Sequence, residues 1–378
     1  MNPIPLLDLT GQYQSIEPEL SAAAREVLAS GQYIKGPHVQ TFEQNFARYI
    51  GTQHCIACNS GTDALYLALR TLNIGPGDEI ITTPFTFIAT AEVISAVGAT
   101  PVFIDIDPQT FNLNLAQIES AITSKTRAIM PVHIFGQPVD MTRLMAIAQA
   151  YQLWVIEDCA QATGAEWAGK RVGSIGHIGC FSFYPTKNLG ACGDGGAITT
   201  DDETISAKIR MLADHGRKET YYHEAIGVNS RLDALQAAIL DVKLRYLDAW
   251  NMQRQAVADR YSKLLDPLPH VIHPHPLEGG HHVWHQYTIR IPTSPEAING
   301  ENWRDRARHQ LQHDRISSTV YYPLPIHLQP VYKFLDYQLG RLPVAEQTSC
   351  EVLSLPMYPE LSLEQQKKIV YSLKDALT

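Results

Sequence analysis

The 378-residue sequence holds no uninterrupted run of about 18 apolar residues, so no membrane-spanning helix is expected. Its opening residues, Met1–Glu17, lack the basic segment and apolar core of a secretory leader. Six cysteines in so long a chain make no disulfide framework, and the cytoplasm is the expected compartment. Positive charge is in deficit: 30 Lys and Arg stand against 39 Asp and Glu, a net charge of −9. That excludes the broad basic face of a nucleic-acid or anionic-membrane binder, while a locally basic pocket could still take an anionic small molecule. There is no Walker loop and no G-x-G-x-x-G, the usual signatures of NTPases and dinucleotide enzymes.

What is present is enough apolar residue, 45%, for a sizeable core. Between residues 50 and 200, short apolar runs alternate with helix-like stretches. The runs lie around Ile56, Ile80–Thr83, Pro101–Ile106, Ala128–Phe135, Trp154–Glu157, Cys180–Tyr184 and Ala197–Thr200. Helical patterns cover Ala64–Leu72, Ala89–Val97, Asp140–Tyr151 and Glu203–Ala213. This alternation predicts an α/β fold with a mostly parallel, helix-covered sheet and its ligand at the carboxyl ends of the strands. Further on, Ser230–Asp233 reads as a capping box, Leu232–Trp250 as one long helix, Trp284–Ile291 and Ser317–Tyr322 as strands, and Trp303–His313 and Ser362–Ala376 as helices. The expected organisation is a large domain over residues 1–250 and a smaller α+β domain over 251–378. The first 30 or so residues carry Ile16, Leu20, Ala23, Ala24 and Val27 at helical spacing and are expected to pack on the smaller domain.

Three segments carry chemistry. Ser60-Gly-Thr62 stands at a helix start, where backbone N–H groups and a hydroxyl can either hold a phosphate or simply cap the helix. Asp158 ends an apolar strand, Trp154–Asp158; a carboxylate there can cap the next segment, bind a cation or hold a ring nitrogen protonated. Lys187 follows the apolar aromatic run Cys180–Tyr184 and a Pro-Thr turn. Desolvation there would free its amine for imine formation, the alternative being a lysine that snorkels from a strand end.

In order along the chain, these segments resemble the DegT/StrS family of pyridoxal-phosphate-dependent nucleotide-sugar aminotransferases, which have the fold-type I architecture. The resemblance runs nearly end to end, through Gly31–Pro37, Gly61–Leu65, Pro84–Thr90, Glu157–Gln161, Phe181–Lys187, Gly193–Gly196, Gly227–Asp233 and Tyr322–Pro325. It implies a pyridoxal 5′-phosphate cofactor joined to Lys187, with Asp158 facing its ring nitrogen. It further implies phosphate contacts from Gly61, Thr62 and Ser182, ring stacking by Phe87 and a cofactor contact from Gln161. Core packing is the other reading of Phe87, and the favoured one for Phe85. Asn229 matches a residue that reaches the phosphate from a second subunit, which implies a homodimer with shared sites. Gly31, Tyr33, Thr186, Arg231, Tyr321 and Tyr322 match positions on the sugar side, although Tyr321 replaces the usual histidine. Arg231 is chemically suited to a carboxylate or diphosphate, or is an ordinary first-turn helix charge.

The implied reaction moves an amino group from an L-amino acid, glutamate by resemblance, to a keto group, C3 foremost, of a UDP- or dTDP-linked sugar in amino-sugar and surface-glycan biosynthesis. Relatives that deoxygenate sugars carry histidine in place of the lysine, so Lys187 favours amination over a dehydratase; the intact Lys187 and Asp158 likewise argue against a non-catalytic sensor. No metal is expected. Cys55-Ile-Ala-Cys58 is a lone pair that cannot close a four-ligand zinc site and reads as packing. The histidines at 273, 275, 281, 282 and 285 fit no helix-borne metal motif and read as a solvated loop.

Overall fold

A computed structural model describes residues 3–292 and 302–377. Seven strands form the central sheet: β1 (His54–Cys58), β2 (Glu79–Thr82), β3 (Thr100–Phe103), β4 (Thr126–Ile129), β5 (Trp154–Asp158), β6 (Ile178–Ser182) and β7 (Gly196–Thr200). Their order is β1-β7-β6-β5-β4-β2-β3. Only β7 runs against its neighbours; from β6 to β3 every pairing is parallel. Every residue of β6 and β7 is buried, as continuous apolar strands covered on both faces should be.

The covering helices are α1 (Leu9–Ser30), α2 (Pro37–Ile50), α3 (Gly61–Thr71), α4 (Ala89–Ala96), α5 (Met141–Ala150), α6 (Glu203–Ala213) and α7 (Ala234–Leu244). The starts of α1, α3, α5 and α6 are set by short polar side chains that satisfy free first-turn amides. Ser60 accepts the Asp63 N–H at 3.1 Å, Asp140 that of Arg143 at 3.0 Å and Asp202 that of Ile205 at 2.9 Å. This is the α/β architecture the alternation predicts.

The expected helix over Leu232–Trp250 is two helices, α7 and α8 (Leu247–Leu265). Arg245 and Tyr246 close the break with tightened bonds to the carbonyls of Val242 and Lys243. The Tyr246 ring then stacks on Trp250, and its hydroxyl meets Glu19 of α1. The capping box is also absent. The first helical residue is Ala234, Asp233 makes no side-chain cap, and Ser230 gives its hydroxyl to Asp63 of α3 instead. Ser317–Tyr322 is no strand; only Thr319 bridges to Ser354.

A second core lies toward the C-terminus. There β8 (Tyr287–Arg290) pairs antiparallel with β9 (Val352–Leu355). These strands pack with the latter half of α8, with α9 (Trp303–His313) and with α10 (Leu363–Leu377) through Tyr261, Leu311, Leu353 and Leu373. Helix α8 joins the two cores without interruption, so residue 250 lies inside a continuous helix. The N-terminal helix departs from expectation. Ile16 and Leu20 of α1 pack on Ile239 and Val242 of α7, and Val27 on the core beside the sheet; Ile4 and Leu7, ahead of α1, reach the C-terminal core. Helical spacing fixes which face of α1 is buried, but not what buries it. Among the described residues, no helix is long and apolar enough to cross a membrane.

Candidate active site

The carboxyl ends of β1, β5 and β6 open into a cavity of about 670 Å³. At one end is the start of α3. The amides of Gly61 and Thr62 open the helix and so have no intrahelical acceptor. Gly61 is required by close approach: a Cβ there would stand 2.6 Å from the Cβ of Ser182. The hydroxyl of Thr62 and that of Ser182, at the end of β6, line the same end.

Asp158, the last residue of β5, is 5% exposed. Its Oδ2 accepts the Thr90 hydroxyl at 2.8 Å and its Oδ1 the Ala160 N–H at 3.1 Å. The Thr86 and Thr90 hydroxyls are themselves 3.1 Å apart. Burial pushes the carboxyl pKa up, while these two donors and the positive charge of Lys187 act to keep it ionised. Lys187 follows β6 on a turn closed by its own N–H to the Tyr184 carbonyl at 2.8 Å. Lost hydration lowers its ammonium to about 8, against the opposing pull of Asp158.

Phe87 and Phe85 separate by burial. Phe85 is 0% exposed and belongs to the core, whereas Phe87 is 60% exposed and lines the cavity. An open aromatic face there is available for stacking. Gln161 also lines the cavity. Its Oε1 accepts the Phe135 N–H at 2.6 Å and its Nε2 donates to the Tyr322 hydroxyl at 2.7 Å. Thr186, Tyr321 and Tyr322 complete the wall.

Thus Gly61, Thr62, Phe87, Asp158, Gln161, Ser182, Thr186, Lys187, Tyr321 and Tyr322 meet around one space. Gly31, Tyr33, Asn229 and Arg231 do not line it. Gly31 ends α1 in the left-handed conformation, and Tyr33 is exposed, with its carbonyl on the Ala234 N–H. Asn229 bridges to Asp214, whose Oδ1 lies 3.4 Å from the Arg231 guanidinium. Lys35 reaches the other oxygen of Asp214 at 2.7 Å. Partial burial opposes the Asp214 carboxylate, but hydrogen bonds from Lys35 and Arg217 outweigh it and pull the group to about 2. Lys35, Asp214, Arg217 and Arg231 thus form a second, charged cluster, to which Asn229 is bridged.

Motif spacing misses several lining residues. Thr86 and Thr90 are spaced i, i+4 within Pro84–Thr90, a hint that they share a face. His285 carries no such signal, and the solvated-loop reading fails for it and for His282. Both are buried; His282 stacks on Trp284 with ring centroids 3.9 Å apart, and His285 lines the cavity. Cys55 and Cys58 are buried free thiols, as packing requires.

Among the described residues, one buried group has metal-like geometry: His133, Glu157 and Cys159. Its carboxylate and imidazole are committed. Glu157 accepts the N–H groups of Gly173, Ile175 and Gly176 at 2.6–2.9 Å. His133 Nδ1 accepts the Val139 N–H at 3.0 Å, so its Nε2 carries the hydrogen directed at Glu157. The group is a satisfied anchor behind β5.

A model of the DegT/DnrJ/EryC1/StrS aminotransferase family matches residues 14–374. The chain belongs to this family. A UDP-N-acetyl-3-dehydro-alpha-D-glucosamine 3-aminotransferase of Acidithiobacillus ferrooxidans is 45% identical over 99% of this chain and 98% of its own. A pleiotropic regulatory protein of Geobacillus stearothermophilus is 48% identical over 97% and 96%. Among solved structures, S. venezuelae DesV in complex with a ketimine intermediate superposes with a TM-score of 0.95, at 41% identity over 99% of this chain and 98% of DesV.

The DegT/DnrJ/EryC1/StrS residues present fit the family's cofactor, pyridoxal phosphate. Free helix amides suit its phosphate, the exposed Phe87 its ring face, the Asp158 carboxylate its ring nitrogen and the Lys187 amine its aldehyde.

Proposed function

We propose that this protein is a pyridoxal-phosphate-dependent aminotransferase that carries an amino group from an L-amino acid, glutamate foremost, to the C3 keto group of a UDP- or dTDP-linked sugar. The observation that carries this reading is the meeting of Lys187 and Asp158 in one cavity with the open start of α3. The name of the Acidithiobacillus ferrooxidans relative supports C3 and a UDP-linked substrate.

Pyridoxal phosphate, when bound, supplies an aldehyde carbon that exchanges amino groups and a ring that accommodates the electron pair left when a substrate carbon loses its proton. In this reading the amides of Gly61 and Thr62 and the hydroxyls of Thr62 and Ser182 bind the phosphate. Phe87 covers one ring face and excludes water from it. Asp158, held by Thr90 and Ala160, keeps a proton on the ring nitrogen through its negative charge. Gln161, with its oxygen spent on the Phe135 amide, offers only N–H to the cavity. Lys187 would hold the cofactor with its amine and, once freed by a substrate amine, its Nζ would carry a proton between the substrate carbon and the cofactor carbon that flank the shared nitrogen.

The assembly in this reading is a homodimer. Gly31, Tyr33, Asn229 and Arg231 lie outside the chain's own cavity and serve the neighbouring one, with Arg231 on a diphosphate or carboxylate. Tyr221, Tyr222 and Ile226, 72–89% exposed, give that face the apolar surface an interface buries. Six free cysteines suit a cytoplasmic setting, and we propose two domains joined through α8.

The test is spectroscopic. Purified protein supplied with pyridoxal phosphate should gain a visible absorbance band that Lys187→Ala lacks. Glutamate should bleach the band, and a panel of UDP- and dTDP-linked 3-keto and 4-keto sugars should restore it and yield an aminated product by mass spectrometry. A wild-type protein that stays colourless rejects the reading, and oxygen loss in place of amination would point to a dehydratase.

A further inference from the structure

His285 has a fixed tautomer, which the hydrogen bonds around it define. Asn188 Nδ2 donates to Asn251 Oδ1 at 2.8 Å and to the Val283 carbonyl at 2.9 Å. A carbonyl only accepts, so the nitrogen end of the Asn188 amide is settled and its oxygen faces His285 Nδ1 at 3.2 Å. An amide oxygen has no hydrogen to give; Nδ1 must carry it. His285 Nε2 is left with a lone pair and has no partner among the described residues, on a side chain that lines the cavity with Lys187.

The loop that carries His285 is immobilised. Arg254 donates to the carbonyls of Trp284 and His285 at 3.1 and 3.4 Å. Gly136, at φ +97°, lets the loop pass so close that a Cβ would stand 3.0 Å from the His285 backbone nitrogen. His285 also lines a recess of about 50 Å³ next to the hydroxyl-bearing Thr186 and Tyr321.

We propose that His285 Nε2 is a built-in acceptor for a ring hydroxyl of the sugar substrate. This rests on the proposed aminotransferase function and names a specificity residue for it. Burial, Lys187 and Arg254 together hold the imidazole neutral, its pKa well below the ordinary value, so Nε2 keeps its lone pair for a neutral O–H donor. In the proposed function the amine of glutamate is engaged by the cofactor, and its carboxylates have no hydrogen to give. A substrate without that hydroxyl leaves the buried acceptor unpaired, which in a hydrogen-bonding site costs discrimination.

The test uses the holoenzyme in two arms. In histidine-selective nitrogen-15 NMR, with the signal assigned against His285→Gln, His285 should show a protonated Nδ1 and a bare Nε2. The Nε2 signal should move when UDP-N-acetylglucosamine or dTDP-glucose is added, and not with glutamate. In kinetics, His285→Phe should raise KM for the keto sugar by about 10- to 100-fold. Bleaching of the cofactor band by glutamate should slow by much less than the sugar KM rises. A protonated Nε2, no movement with either nucleotide sugar, an unchanged sugar KM or an equal loss toward glutamate each overturns the proposal. The NMR arm reads the shift on wild-type protein and uses His285→Gln for the assignment alone, so a misfolded phenylalanine variant leaves the matter decided. If wild-type enzyme is not bleached by glutamate at all, it is the aminotransferase reading that fails, while the tautomer is still read independently.

Discussion

A lysine in water keeps its proton until about pH 10, whereas Lys187 gives it up near 8 because its ammonium has lost hydration that Asp158 only partly replaces. The unprotonated amine is the nucleophile, so the sign follows directly. In cofactor-free protein, the rate of visible-band formation with added pyridoxal phosphate should climb about tenfold per pH unit up to roughly 8 and then level. A rate still climbing at pH 10 would mean an ordinary, hydrated lysine. Asp158 depends on the opposite charge state. Asp158→Asn keeps the hydrogen-bonding shape but removes the charge facing the ring nitrogen. Stopped-flow measurement should find cofactor still bound and turnover down about 100-fold or more; a near-normal rate would remove Asp158 from the chemistry. Both residues are legible in the sequence because Asp158 ends an apolar strand run and Lys187 follows one across a short turn, and a charged group in that setting needs a reason. Thr90 and His285 are not legible this way. Their roles come from partners 68 and 97 positions away, Asp158 and Asn188, which no local pattern can announce.

At the scale of elements, the turn from β1 into α3 is the cradle on which anion binding depends. Its shape is set by one missing side chain, since the start of the helix rests against Ser182 of β6. Gly61→Ala places a methyl group at 2.6 Å from that residue and must push the helix start away from the cavity. Equilibrium dialysis should find pyridoxal phosphate bound at least about tenfold more weakly, with thermal unfolding of the cofactor-free protein little altered. Unchanged affinity would place the phosphate elsewhere. The helices capped by Asp140 and Asp202 are readable in the sequence because cap and apolar period agree. The helix expected over Leu232–Trp250 misleads because its period runs through a two-residue break. What breaks it is tertiary: Tyr246 turns to stack on Trp250 and to meet Glu19 of α1. The capping box misleads for a related reason, since the Ser230 hydroxyl has a stronger engagement with the Asp63 carboxylate across the fold.

At the scale of the whole molecule, the candidate site residues divide between two places. Lys187 and Arg231 belong to separate clusters, one inside the cavity and one around Asp214 at the surface. If two copies exchange these clusters across a two-fold axis, each working site takes its lysine from one protomer and its arginine from the other. Two inactive variants should then repair each other. In a Lys187→Ala protomer paired with an Arg231→Ala protomer, one site has both defects and the other has neither. Random mixing of equal amounts makes about half the dimers mixed, each with one intact site of two, so activity should return to about a quarter of wild type. The measurement is product formation after co-expression with two different affinity tags, with the doubly tagged species purified; that species should reach about half of wild type. If every site were built within a single chain, the mixed dimer would hold one site without its lysine and one without its arginine, and no activity would return.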